Sequence, residues 1–142
     1  MEEHRQTSVL FVCLGNICRS VFAEAFAKER FGEVVEVSSA GLNPQPPDWA
    51  SDAIDTLRAE FAMDASSHIP RGVRSLDLES YSVVVAMDES VGRELKRITR
   101  RDIRVWRIED PWGQGLDVFG SCAMTVLNEV ESLELESTDS EK

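Results

Sequence analysis

The sequence predicts an α/β fold built on a parallel sheet, and three observations predict it. Short apolar runs that read as buried strands, such as SVLFVC and YSVVVAM, alternate with segments patterned as helices. That alternation is what right-handed β-α-β crossovers require. The residues richest in chemistry, Cys13 and the EDPWGQG stretch, both fall at the carboxyl ends of predicted strands, where parallel sheets carry their sites.

Each element follows from its residues. Ser8–Cys13, SVLFVC, is a short apolar run that fits a strand buried on both faces. Gly15-Asn16 then marks a turn, because both residues tolerate positive φ. Ser20 is placed to cap a helix from about Val21 to Phe31, with Phe22, Ala23, Ala25 and Phe26 on one stripe and Gly32 at its end. Val34–Ser39 alternates as a strand. Gly41–Asp48, GLNPQPPD, is a loop by its Gly and Pro content. Asp48 is expected to cap a helix to about Ala62, with Ala50, Ile54, Leu57 and Phe61 facing inward. Tyr81–Met87 is the clearest buried strand, Asp88 opens a helix to about Ile98, and Ile103–Ile108 is a last strand. From Leu116 a helix turns Val118, Phe119, Cys122, Val126, Val130 and Leu133 inward.

The 142 residues fit one domain, 1–142, with frayed ends at 1–6 and 136–142 and with His4 on the surface. No leader and no stretch of membrane-spanning length is visible. Three cysteines make a poor disulfide framework, so a reducing, cytoplasmic setting is expected. The two histidines fall at no ligand spacing from them, so no metal is expected. A formal net charge of −11 argues against nucleic acid or an anionic membrane as partner. An anionic substrate must then be held by local positive groups.

The segment VCLGNICRS, residues 12–20, could supply them. Backbone N–H groups of a loop that leaves a strand and enters a helix can form an anion nest, and the helix N-terminus adds positive potential. Cys13 at the start of that loop faces donors that favour an anionic sulfur. Arg19 at its end brings a planar fork that matches two phosphate oxygens. Ser20 can donate to the sulfur and ease its later departure. A cysteine nucleophile on phosphorus also needs an acid for the leaving group. Asp110 is the candidate, since Pro111 keeps it out of the α region at a site mouth, and Trp112 beside it could form an aromatic wall. Taken alone, C-x5-R and Asp-Pro are common. Cys122 and Trp106 read as core, and Trp49 as either helix or site rim.

VCLGNICRS followed by AEA, SSAG at 38–41, PPD at 46–48, His68 with Arg71, VVVAMDES at 83–90 and EDPWG at 109–113 together resemble the low-molecular-weight protein tyrosine phosphatases. The resemblance implies a three-layer α/β/α domain with a four-stranded parallel sheet in the order 2-1-3-4. It implies that Cys13 is the nucleophile, Arg19 binds phosphate and Asp110 is the proton donor. Leu14, Gly15, Asn16, Ile17, Cys18 and Ser20 complete the phosphate-binding loop, with Asn16 holding its shape through Ser20 and, in a supporting position, His68. No cofactor is implied, and the partner is a phosphotyrosine protein met by a monomer or weak dimer. Cys18 resembles the family's second cysteine, able to pair with Cys13 under oxidation.

Several positions depart from the family. Val21 stands where proline is usual, GLNPQPPD is short and has no aromatic at its tip, and Trp112-Gly113 replaces a pair of tyrosines. A more open cleft is therefore expected, with Trp49 and Trp112 as its walls. The acidic surface is expected to disfavour acidic phosphopeptides. Three rivals remain. Arginine phosphatases of this family tend to carry threonine where Ile17 stands. Thiol-type arsenate reductases need resolving cysteines, and residues 83–90 hold none. A non-catalytic phosphate-binding module would be expected to have lost Cys13, Arg19 or Asp110.

Overall fold

The computed structural model describes residues 7–135, so the ends expected to fray and His4 lie outside the described residues. Four parallel strands, β1 (Thr7–Cys13), β2 (Val35–Gly41), β3 (Val83–Ala86) and β4 (Arg104–Val105), form one sheet in the order β2-β1-β3-β4. Four α-helices flank it: α1 (Arg19–Phe31), α2 (Ser51–Phe61), α3 (Glu89–Lys96) and α4 (Leu116–Ser132). The fold class and strand order are those expected.

The apolar run of β1 explains the layering. Every residue of this strand is buried, and its side chains alternate between two cores. Val9, Phe11 and Cys13 join the core of α1, α2 and α4, where Phe22, Phe26 and Phe119 also lie. Leu10 and Val12 join the core beneath α3, with Val91 and Leu95. Trp106 packs on Phe11 with ring centroids 5.6 Å apart, as its core reading required.

Three local expectations need correction. The N-cap of α1 is Cys18, not Ser20, and no side chain caps that end. Ser20 lies in the first turn, where its hydroxyl is committed to other partners. Asp48 is not a cap either, because Pro46 and Pro47 open a 3-10 turn, Pro47–Ala50, that runs straight into α2. Trp49 rides on that turn. The last strand is shorter than 103–108. Only Arg104–Val105 pairs regularly, both exposed at the sheet edge, while the amides of Trp106 and Ile108 still donate to Ala86 and Met87 at 2.8 and 3.0 Å. Those two bonds lead the chain along β3 to Asp110.

Parallel register brings the working residues to one rim. Cys13 pairs with Gly41, and Val12 with Ala86. Cys13, Gly41, Asp88 and Asp110 thus stand just at or beyond four adjacent strand ends.

Candidate active site

The loop between β1 and α1 is shaped from behind. The carbonyls of Cys13, Leu14 and Gly15 accept from the amides of Leu42, Asn43 and Gln45 at 3.0, 2.8 and 3.1 Å. The Asn16 carbonyl accepts from His68 Nε2 at 2.8 Å, which places the ring hydrogen on that nitrogen. A loop whose carbonyls are committed outward presents its N–H groups on the other side. Gly41 makes this close approach possible. A Cβ there would sit 2.8 Å from the Leu14 carbonyl oxygen and 2.9 Å from the Asn16 nitrogen.

Asn16 is fully buried with φ of 58°. Its Nδ2 donates to Ser20 Oγ at 2.9 Å and to Ser39 Oγ at 3.0 Å, and its Oδ1 accepts from the Arg71 amide at 3.0 Å. Ser39 Oγ in turn donates to Glu24 Oε1 at 2.5 Å, and Lys28 holds the other Glu24 oxygen at 2.8 Å. Because Ser20 Oγ accepts from Asn16, its hydrogen is left for Cys13 Sγ, 2.9 Å away. The Asn16 amide also donates to that sulfur, at 3.3 Å. Both links expected of Asn16, to Ser20 and to His68, are present.

Arg19 is buried, its side chain only 3% exposed, and it is anchored along one edge. Its Nη1 donates to Asp88 Oδ2 at 2.7 Å and to the Ile108 carbonyl at 2.9 Å. Its Nη2 lies 3.8 Å from Asp110 Oδ2, and its Nε has no partner among the described residues. Burial works against the guanidinium charge, but Cys13, Asp88 and Asp110 outweigh it and raise the pKa above its ordinary value. Asp88 shows the same contest. Burial opposes its charge, yet the Val91 amide and Arg19 hold its carboxyl below the ordinary range.

Asp110 faces the loop from the far side. Its Oδ1 accepts from the Trp112 amide at 3.1 Å and from the Cys18 thiol at 3.8 Å. Burial, with Cys13 and Asp110 adding to it, pushes the Cys18 thiol far up, so it stands as a neutral donor. Burial likewise pushes Cys122 up to about 12, and its thiol donates to the Glu109 carbonyl at 3.8 Å.

Cys13, Leu14, Ile17, Arg19, Asp110 and the two indoles line one cavity of about 210 Å³. Trp49 and Trp112 stack across its rim with centroids 5.5 Å apart and planes 14° apart. Trp49 comes from the 3-10 turn, so an aromatic stands at this rim although the short loop itself carries none. Sequence reasoning also missed Glu24, Ser39 and Arg71 as supports and read Asp88 only as a helix cap. The one available signal for Asp88 was its place just past the strand YSVVVAM. Among the described residues no group of three or more His, Cys, Asp or Glu could hold a metal ion, and no helix is long and apolar enough to cross a membrane.

Comparison with known proteins gives a consistent picture. The family model for low molecular weight phosphotyrosine protein phosphatase matches residues 8–141. The human low molecular weight phosphotyrosine protein phosphatase is 38% identical over 68% of this chain and 65% of its own length. A glutaredoxin arsenate reductase of Synechocystis sp. is 31% identical over 88% of this chain and 94% of its own. Among solved structures, a low molecular weight protein tyrosine phosphatase from T. tengcongensis superposes with a TM-score of 0.77 at 29% identity, covering 88% of this chain and 95% of that one.

Proposed function

The chain belongs to the low molecular weight phosphotyrosine protein phosphatase family, and from that membership we propose that it hydrolyses phosphotyrosine through a phosphocysteine formed on Cys13. The observation that carries the reading is the convergence on one cavity of the Cys13 sulfur, the open edge of buried Arg19 and the Asp110 carboxylate. In the first step Cys13 Sγ attacks phosphorus in line as the bond to the tyrosyl oxygen breaks. Protonated Asp110 gives its proton to that oxygen. In the second step Asp110, now a carboxylate, takes a proton from water. The water oxygen bonds to phosphorus, and the sulfur leaves towards the Ser20 hydroxyl. Loop amides and the Nε–Nη2 edge of Arg19 stabilise the equatorial oxygens in both transition states, while Asp88 and the Ile108 carbonyl keep Nη1 in place. The indole pair offers an aromatic surface to a phenolic leaving group, and Ile17 lines the cavity where a smaller polar residue would suit a guanidinium.

The test is para-nitrophenyl phosphate hydrolysis in EDTA from pH 5 to 8 by wild type, Cys13→Ser and Asp110→Asn. Turnover by wild type, none by Cys13→Ser and a loss on the order of 10²-fold in Asp110→Asn support the reading. A folded, reduced but inactive wild type sinks it. Phosphotyrosine and phosphoarginine peptides then separate the two phosphatase substrates.

Likeness to the Synechocystis reductase favours arsenate reduction as the second reading. Reduction of arsenate to arsenite must leave two thiols as a disulfide, which a further thiol then carries outward. Cys122 is buried at 7% exposure, which makes it a poor relay. Arsenite formation from arsenate with glutathione as reductant, at a rate above that of Cys13→Ser, would bring this reading forward.

A further inference from the structure

The chain is strongly acidic overall, yet its cations are not spread evenly. Seven of the 15 Lys and Arg residues fall within residues 93–107, against two of the 26 acidic ones. The fold gathers this stretch on one side. Gly92 sets α3 directly on the edge strand, since a Cβ there would come 2.9 Å from Val105 Cγ2. Two open grooves lie along this side, one of about 360 Å³ at that contact and one of about 590 Å³ past the end of α3. The first is lined by Arg93, Lys96 and Arg107, the second by Lys96, Arg97 and Arg100, so they share Lys96. Of the acidic residues in them, Glu89 is ion-paired with Arg107 at 2.6 Å, and Glu79 accepts from the Thr99 hydroxyl at 2.5 Å and keeps its charge. Arg93, Lys96, Arg97, Arg100 and Arg104 are exposed and make no ion pair among the described residues.

Two ordinary explanations account for part of this. Cations at a sheet edge discourage edge-to-edge pairing, which covers Arg104 and Arg107. Cations in a last helical turn suit the helix dipole, which covers Arg93 and Lys96. The dipole also suits Arg97, the C-cap of that helix, but neither explanation accounts for Arg100 beyond it.

We propose that these two basic grooves, one between α3 and β4 and one past the end of α3, together dock an acidic polypeptide segment of the phosphoprotein substrate, a proposal that rests on the phosphatase reading above. The first groove starts close to the site, because residues 107–110 can span at most about 10 Å. A substrate seated on Cys13 can therefore continue over the Asp110 loop into it. Charge complementarity selects an anion, and the surroundings select a narrow one. Eight basic and 24 acidic residues make up the rest of the chain's charge. A nucleic-acid duplex or a membrane surface would bring many of those acids within a Debye length, about 8 Å, of its own charges, whereas a single peptide strand touches only the grooves. The general aversion to acidic phosphopeptides expected from net charge is thus reversed at this one face.

The test uses fluorescence anisotropy of the full chain with an unphosphorylated Asp/Glu-rich peptide, a single-stranded oligonucleotide and phosphatidylserine vesicles. The comparison variants are Arg93→Glu/Lys96→Glu/Arg97→Glu and its milder form with Gln at the same positions. Expected is peptide binding that weakens at least about tenfold in the Glu variant, less in the Gln variant, and also with rising salt. In parallel, kcat/KM for a phosphotyrosine peptide with acidic flanks falls by a similar factor in the variants, while para-nitrophenyl phosphate turnover stays unchanged. Binding measured without phosphate keeps this proposal separate from the catalytic one: an inactive enzyme that still binds the peptide fails only the latter. Equal peptide binding by wild type and both variants overturns the docking site, as does binding of the oligonucleotide or vesicles with none of the peptide.

Discussion

Asn16→Ala should separate the shape of the catalytic loop from its chemistry. The side chain makes three hydrogen bonds, to Ser20 and Ser39, both buried, and from the part-buried Arg71 amide. At about 1 kcal/mol each their loss costs about 3 kcal/mol. Alanine at a φ of 58° adds about 1 kcal/mol of left-handed strain. The urea midpoint, followed by tryptophan fluorescence, should therefore reflect a loss of about 4 kcal/mol in Asn16→Ala and about 3 kcal/mol in Asn16→Gly. No group that meets phosphorus is removed, yet Ser20 loses the bond that turns its hydrogen towards Cys13. Turnover of para-nitrophenyl phosphate should fall on the order of 10²-fold in both variants. Two results would refute the reasoning. If Asn16→Gly is as stable as wild type, the side chain holds nothing and only backbone freedom mattered. If both variants lose stability but keep wild-type kcat, the loop keeps its working shape without Asn16.

Other consequences are narrower. Gly41→Ala should cut kcat by about 10²-fold while far-UV dichroism stays native, because its Cβ meets the loop backbone at Leu14 and Asn16; an unchanged kcat would contradict that contact. Ala62 ends α2 in the left-handed region at φ of 56°, so Ala62→Gly should stabilise by about 1 kcal/mol in urea titration. With its thiol pushed up to about 12, Cys122 holds thiolate at roughly one part in 10⁴ at pH 8, so brief iodoacetamide treatment of the folded protein should leave it unlabelled by mass spectrometry. The Asp88 carboxyl is held below its ordinary 3.8, so its contribution to stability is present above that value and is lost as pH falls through the lowered one. An Asp88→Asn variant should show a correspondingly weaker acid dependence of its urea midpoint.

How much of the fold could be read in advance depended on where each element's determinants lie. β1 was legible because burial on both faces leaves an unbroken apolar run from Val9, and Asp88 was legible as a cap because the cap bond to Val91 is local. The last strand was overdrawn for the opposite reason. Its apolar residues, Trp106 and Ile108, serve the core and the climb to Asp110, not a longer ladder, and only their amide bonds to Ala86 and Met87 record that. Two adjacent prolines outweighed Asp48 in deciding how α2 begins.

The site divides along the same line. Cys13, Arg19 and Asp110, which the proposed reaction uses, could be picked out because bond-making chemistry restricts the residue types that can perform it. The groups that hold them are ordinary residues whose partners lie far along the chain: Ser39 is 23 residues from Asn16, and Asp88 is 69 from Arg19. Ser20 shows why position alone misleads. A serine before a helical run reads as a cap, but a hydroxyl has one hydrogen, and here Asn16 occupies the oxygen and the sulfur is left as the nearest acceptor. The same accounting explains how Arg19 can be buried in an acidic protein. Asp88 and the Ile108 carbonyl satisfy one edge of the guanidinium, so the charge is stable without substrate, and the Nε–Nη2 edge left over has the width and donor spacing of two phosphate oxygens.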